Sequence, residues 1–311
     1  MATLVVLMAW AVALSAADRP PPLPGQIGLV VDGQLREISG LAVSRRDPDL
    51  LWVLNDSGNG ARIYAIARSG ERLATVAVLG ARNRDWEDLT AATLEGRSTL
   101  IVGDIGDNEG RRPYVTLYLV PEPWVEEGRP TAAVKVERTI HFRYPDGPRD
   151  AEGLAFDPVA GELLVLSKRA VPPALYAVPV ASDESSTSTV VTARKVAEVA
   201  SLPPPSLIDL AADPRFGIYA SQPTALDYVP SVGLLVMTYA RPYLFDANLP
   251  ATPAELLSAP PRPVVSARLK QAEAAVIDGE HLLLTSERLP SPLLRVPHGV
   301  RTRSSTAADD E

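Results

Sequence analysis

From Gln26 onward the apolar residues fall in short runs broken by Gly, Pro, Asp and Asn, with almost no helical periodicity, which predicts an all-β fold. The runs repeat as a three-part phrase. Ser39-Gly40-Leu41-Ala42 is followed by Leu51-Trp52-Val53-Leu54-Asn55-Asp56 and then by Ala61-Arg62-Ile63-Tyr64-Ala65-Ile66. The phrase returns from Glu87, Glu152, Thr224 and Glu273, each time with a second run (Leu100-Ile101-Val102-Gly103-Asp104, Leu163 to Lys168, Leu234 to Tyr239, Leu282 to Glu287) and a third. The unequal spacing argues against a solenoid and suits the four-stranded blades of a single β-propeller, whose connecting loops tolerate insertions. Fourth strands are predicted at 72–78, 135–142, 190–199 and 262–269. The fifth repeat lacks one, because a polar tail (299–311) follows it, so the run 26–31 is predicted to close the ring there. This gives five blades within 26–298. A sixth blade in 201–221, where Leu207-Ile208-Asp209-Leu210 and Gly217-Ile218-Tyr219-Ala220 read as strands, remains an alternative, as does a β-sandwich.

The first strand of a propeller blade lines the central channel, so equivalent repeat positions converge on one axis. Here those positions are polar. The phrase opens on Ser39, Glu87, Glu152, Thr224 and Glu273, and two residues earlier, on the same strand face, stand Glu37, Asp85, Asp150, Gln222 and Gln271. Two stacked polar rings with six carboxylates are therefore expected. The loops after the second strands, which include Asn55-Asp56-Ser57-Gly58, Asp104-Ile105-Gly106-Asp107-Asn108 and Ser167-Lys168-Arg169, are expected at one rim of the channel. The second of these superficially resembles a calcium loop but lacks the twelve-residue order of an EF-hand, and is read as a tight turn.

Charge and composition sharpen this picture. The chain has 311 residues, no cysteine, three histidines and a formal net charge of -8. That balance disfavours nucleic acid as a partner, and the missing thiols remove Cys-based metal sites and nucleophiles. So many acids in one channel need compensation. A hard cation held by oxygen ligands is one remedy, calcium before magnesium because its coordination is looser. A network of ion pairs with Arg84, Arg149, Lys168, Arg169, Arg241 and Arg288 is another. Residues 2–17 are uncharged and almost wholly apolar, shorter than the roughly 20 residues of a membrane-spanning helix, and end on Ser15-Ala16-Ala17. They read as a cleaved signal peptide, followed by a Pro-rich linker (18–25), so a secreted or periplasmic protein without integral membrane association is expected.

Four stretches carry a resemblance: Arg84-Asp85-Trp86-Glu87-Asp88-Leu89, Gly103-Asp104-Ile105-Gly106-Asp107-Asn108, Asp150-Ala151-Glu152-Gly153-Leu154 and Gln271-Ala272-Glu273-Ala274. Together they resemble a widespread group of exported bacterial propeller proteins whose activities are little defined. More distantly the chain resembles the esterase-like phytase propellers and the calcium-dependent lactonase and gluconolactonase propellers. The lactonase resemblance implies a calcium site drawn from Glu37, Asn55, Asp104, Glu152 and Glu273. The phytase resemblance implies that Lys168, Arg169 and Arg241 neutralise phosphate. Those lactonases have six blades, and a second channel Asn is lacking here. The function expected is metal-assisted hydrolysis of a small ester or phosphoester bound at the channel mouth. In that scheme the ring acids Asp85 and Asp150 join the metal set, Glu87 or Glu152 acts as base, and Lys168 or Arg241 steadies developing charge. The alternative is a non-enzymatic ligand-binding or structural propeller whose acids hold a structural ion or are salt-bridged.

Overall fold

A computed structural model describes residues 21–126, 131–180, 190–246 and 251–300. The segment read as a signal peptide and residues 301–311 of the tail lie outside the described residues. Strand β1 (Gln26–Val30) precedes blade I, which is built from β2 (Ile38–Val43), β3 (Leu50–Asn55), β4 (Arg62–Ala67) and β5 (Arg72–Leu79). Blade II begins with β6 (Trp86–Leu94), β7 (Arg97–Asp104) and β8 (Val115–Pro121). The run expected as its fourth strand splits. β9 (Ala133–Lys135) pairs parallel with β5 of blade I, and β10 (Arg138–Arg143) completes blade II. Blade III consists of β11 (Ala151–Asp157), β12 (Glu162–Ser167), β13 (Ala174–Pro179) and β15 (Arg194–Glu198), while the two-residue β14 (Val191–Thr192) adds to β10. Two expected fourth strands thus each give a short piece to the preceding blade, stitching neighbours together.

Residues 201–221 form no blade. They fold as helix α1 (Leu207–Ala212) and a 3₁₀ turn, Gly217–Tyr219. Ser206 caps the helix by accepting from the Asp209 N–H while Asp209 reaches back to the Ser206 N–H, a reciprocal cap that outweighs the short apolar run read as a strand. Blade IV follows as β16 (Pro223–Val229), β17 (Gly233–Thr238), β18 (Pro242–Phe245), helix α2 (Pro253–Leu257) and β19 (Arg262–Pro263). Its outer strand is far shorter than expected. Blade V is β20 (Ala272–Asp278), β21 (His281–Ser286) and β22 (Ser291–Pro297), and β1 pairs antiparallel with β22 as its fourth strand. The ring therefore closes through the N-terminal strand, as the missing fourth strand of repeat five predicts.

The innermost strands β2, β6, β11, β16 and β20 pack side by side around the axis, with β20 returning to β2. Each of the five junctions between blades is filled by its own apolar cluster. Trp52 and Ile63 meet Trp86 and Leu100 between blades I and II, and Leu51 and Tyr64 meet Ala274 and Leu283 between blades V and I. Burial of this kind, repeated at every junction, is what holds the ring together without disulfides.

Candidate active site at the channel mouth

Every innermost strand carries a β-bulge at the same place. The ladder shifts between Ile38 and Gly40, Trp86 and Asp88, Ala151 and Gly153, Pro223 and Ala225, and Ala272 and Ala274. The skipped residues are Ser39, Glu87, Glu152, Thr224 and Glu273, the phrase-initial set. A bulge leaves one residue without a ladder partner and re-aims its side chain, and all five are buried. Ser39 Oγ donates to the Glu87 carbonyl of the next blade, and Thr224 Oγ1 donates to Ala272 O at 2.8 Å.

The residues two positions earlier are held at the mouth by a second repeating device. In each blade an N–H from the loop after the second strand donates to their carbonyl: Asp56 to Glu37, Gly106 to Asp85, Lys168 to Asp150, Tyr239 to Gln222 and Glu287 to Gln271. These five equivalent positions bring three ionisable side chains, one phenol and one glycine to the rim. The glycine matters. A Cβ on Gly106 would stand 2.3 Å from Glu87 Oε1 and 2.5 Å from Asp85 Oδ2, so the missing side chain makes room for two carboxylates.

The outcome is a dense acid group. Carboxylate oxygens of Asp56, Asp85 and Glu87 lie within 4.8 Å of one another, and so do those of Glu87, Asp150 and Glu152. The nearby cations compensate the second group and Asp104: Lys168 Nζ pairs with Glu152, Arg169 with Asp150 at 2.7 Å, and Arg112 with Asp104 at 2.7 Å. Among the described residues, Asp56, Asp85 and Glu87 have no ion-pair partner. Burial, followed by the negative charge of Asp56 and Asp150, pushes the Asp85 carboxyl up to about 6. Burial and then Glu152 push Glu87 well above the carboxylate range. Burial raises Glu152 to about 7 against the opposing pull of Lys168, and raises Glu273 as well. Burial alone would lower the Lys168 ammonium, but Glu152 and Glu273 hold it charged. Its Nζ also lies 2.8 Å from the Tyr239 hydroxyl.

Two other buried acids show what compensation looks like in this fold. Glu122 accepts from the Ser44 and Ser98 hydroxyls, the Trp52 indole at 2.8 Å and the Arg45 N–H at 3.2 Å. Asp88, deep in the channel, accepts the N–H groups of Leu89 (2.7 Å) and Leu154 (2.8 Å). Innermost strands are sheet edges with open N–H groups, and Asp88 and Asp227, which accepts from Tyr228 and Ile277, supply partners for them. Among the described residues Glu87 has by contrast only the distant Ser39 hydroxyl, at 3.4 Å.

The sequence-derived residues separate accordingly. Glu87, Asp85, Asp150, Glu152, Glu273 and Lys168 share one electrostatic group. Glu37 sits at the rim and accepts from the Asn59 amide at 2.7 Å. Asn55 stands one residue, and Asp104 two residues, before the rim position of its blade. Asn55 donates to Gln34 O at 2.6 Å, with its Oδ1 buried and unpartnered, and Asp104 forms the buried pair with Arg112. Arg241 pairs with Asp209 of α1 at 2.8 Å. Asp107 accepts from the Arg111 and Arg112 N–H groups, closing its loop as a turn. Asp56, Tyr239 and Glu287 join the site although the ring argument did not select them; their signal was the position immediately after each second strand.

No protein-family model matches this chain, and no curated protein sequence matches it. Among solved structures it is similar to the PQQ-bound form of aldose sugar dehydrogenase from Streptomyces coelicolor, at 12% identity and TM-score 0.44 over 88% of this chain and 97% of that one. A luciferin-regenerating enzyme gives 11% and 0.43 over 88% and 96%. The major Malassezia sympodialis allergen Mala s 1 gives 15% and 0.45 over 87% and 77%. At these values no chemistry follows from the likeness.

Proposed function

We propose that the channel mouth binds a divalent cation, calcium in preference to magnesium, and hydrolyses a small ester or phosphoester there, in an exported protein. The observation that carries this reading is the triad Asp56, Asp85 and Glu87: three carboxylates within 4.8 Å, without an ion pair among the described residues, beside the gap left by Gly106. Mutually close acids in a low dielectric either take up protons or hold a cation. Oxygen-only ligands on separate blades suit the looser coordination of calcium. A cation in this place supplies Lewis acidity toward a carbonyl or phosphoryl oxygen and acidifies a bound water.

The protein's own groups have the remaining roles. Glu152, raised to about 7, exchanges protons near neutral pH, as a general base requires, and Glu87 beside it is raised by burial and by Glu152. Lys168 stays charged and, with the Tyr239 hydroxyl, offers donors to an oxyanion. Arg241, engaged by Asp209, is left out of the scheme. A second reading is favoured by the direct Lys168–Glu152 pair, which closes the inner ring on itself. On that reading the propeller is a non-enzymatic ligand-binding or structural scaffold.

The test is a thermal melt at neutral pH in EDTA, then with calcium or magnesium restored, alongside hydrolysis assays on a lactone, an aryl ester and a phosphomonoester. A rise in melting temperature with calcium, smaller with magnesium and weakened in Asp85→Asn and Glu87→Gln, supports the cation site. Indifference to chelator and calcium in metal-free protein defeats it. A calcium response without hydrolysis of any of the three favours the scaffold.

A further inference from the structure

Helix α1 is inverted. Asp209 is its buried residue, while Leu207 and Ile208 are 84% and 74% exposed. The buried carboxylate is held by Arg241 at 2.8 Å, Arg268 at 3.8 Å and the Ser206 hydroxyl at 2.6 Å. The 3₁₀ turn packs so closely on the helix that a Cβ at Gly217 would lie 2.5 Å from Asp209 O. That turn exposes Phe216, Ile218 and Tyr219 in the same way. The insertion is fixed to the mouth, where Ala240 N–H donates to Ala220 O at 3.0 Å and Tyr239 N–H donates to Gln222 O.

We infer that residues 201–221 form a membrane-surface anchor that inserts Leu207, Ile208, Phe216, Ile218 and Tyr219 into the interface of an anionic lipid bilayer. Contiguous exposed apolar surface on a folded protein marks an interaction site. The degree of exposure makes this one a protrusion, whereas a small-molecule site is concave and buries its walls. Its rim is cationic: Arg215, Arg241 and Arg268 stand against Asp209 and Asp213, on a chain whose net charge is -8. Asp209 offsets one of the two guanidinium groups held against it and leaves the other in surplus. Aromatic and aliphatic tips within a basic rim are what an interfacial anchor needs, apolar atoms for the acyl boundary and cations for anionic headgroups. No helix among the described residues is long and apolar enough to cross a membrane, so the contact is peripheral. The inference is independent of whether the mouth binds metal or hydrolyses anything.

The experiment is co-sedimentation of the full chain at low ionic strength with vesicles of phosphatidylcholine alone or containing about a third phosphatidylglycerol. The protein should pellet with the anionic vesicles and be released by salt. The triple variant Ile208→Ser, Phe216→Ser, Ile218→Ser should bind at least about tenfold more weakly, and Arg215→Glu should reduce the preference for anionic lipid, both with unchanged melting temperature because these side chains face solvent. Wild type left in the supernatant with both vesicles, or a triple variant that pellets as well as wild type, overturns the anchor. Light scattering that shows self-association abolished by the triple variant, with no lipid binding, assigns the surface to a second copy and also overturns it.

Discussion

The Glu87 carboxylate occupies the space that a side chain at position 106 would fill: a Cβ on Gly106 would stand 2.3 Å from Glu87 Oε1. Because Oε1 is the end of a flexible side chain, Gly106→Ala should move the carboxylate without breaking the ladder. We expect a melting temperature in EDTA close to wild type and a calcium-induced rise that is largely lost. A full calcium response in the alanine variant would show that the Gly106 gap is not part of the cation site.

The inner ring was legible in the sequence because its polar residues interrupt apolar runs at one fixed point of the repeat. The bulge that makes Ser39, Glu87, Glu152, Thr224 and Glu273 equivalent was not, since a skipped partner leaves no mark on a single strand. That hidden shift explains the misplacement at the rim. Whether Asn55 or Asp56 faces the channel depends on one residue of register, and blade II adds the further residue Ile105, so Gly106 takes the place of Asp104. The two strands expected in 201–221 for the alternative sixth blade are a helix and a turn for another reason. The exposed Leu207 and Ile208 imitate a buried run, although the Ser206 and Asp209 capping pair was present as a signal.

Asp88 should contribute to stability through the strand edges it satisfies. Removing its carboxylate leaves the buried N–H groups of Leu154 and Leu89 without that acceptor, at a cost of roughly 3 kcal/mol. Asp88→Ala should show this loss in urea denaturation. Asp88→Asn, which keeps a carbonyl acceptor for one of the two N–H groups, should lose less than Asp88→Ala without reaching wild type.

Stability should depend on pH in a definite direction. The pKa values of Asp85 and Glu152 rise in the fold from 3.8 and 4.5 to about 6 and about 7. Their protonated forms therefore favour folding, fully below the unfolded values, and that contribution disappears as pH rises through about 6 and about 7. His141, lowered by burial, opposes this as a single group. In EDTA the melting temperature should fall by on the order of 5 °C between about pH 5 and about pH 7.5. Saturating calcium should flatten the slope by replacing the protons. A melting temperature that rises across this interval in EDTA would contradict the assigned burial of these acids.

Ring closure gives the last expectation. β1 reaches blade V through four register pairs, from Gln26 with Leu294 to Val30 with Ser291, and the Leu29 N–H also bonds to Ser69 O of blade I at 2.9 Å. The strand thus joins the last blade to the first. It approaches blade I so closely that a Cβ at Gly28 would lie 2.4 Å from Arg68 O and 2.6 Å from the Ser69 carbonyl carbon. Those are backbone atoms, which cannot swing away as a side-chain tip can. Gly28→Ala should therefore cost on the order of 2 kcal/mol, read as a lower urea midpoint with an unchanged slope. Deleting 26–30 should do more, because it uncovers the edge of β22 and the blade I face beneath Val30, a buried member of that junction's core. An exposed edge beside apolar surface recruits other chains, so the deletion should sharply lower soluble yield and shift the remainder to aggregates in size-exclusion chromatography. Monomeric deletion protein with the melting temperature of wild type would mean that the ring is held by its blade junctions alone.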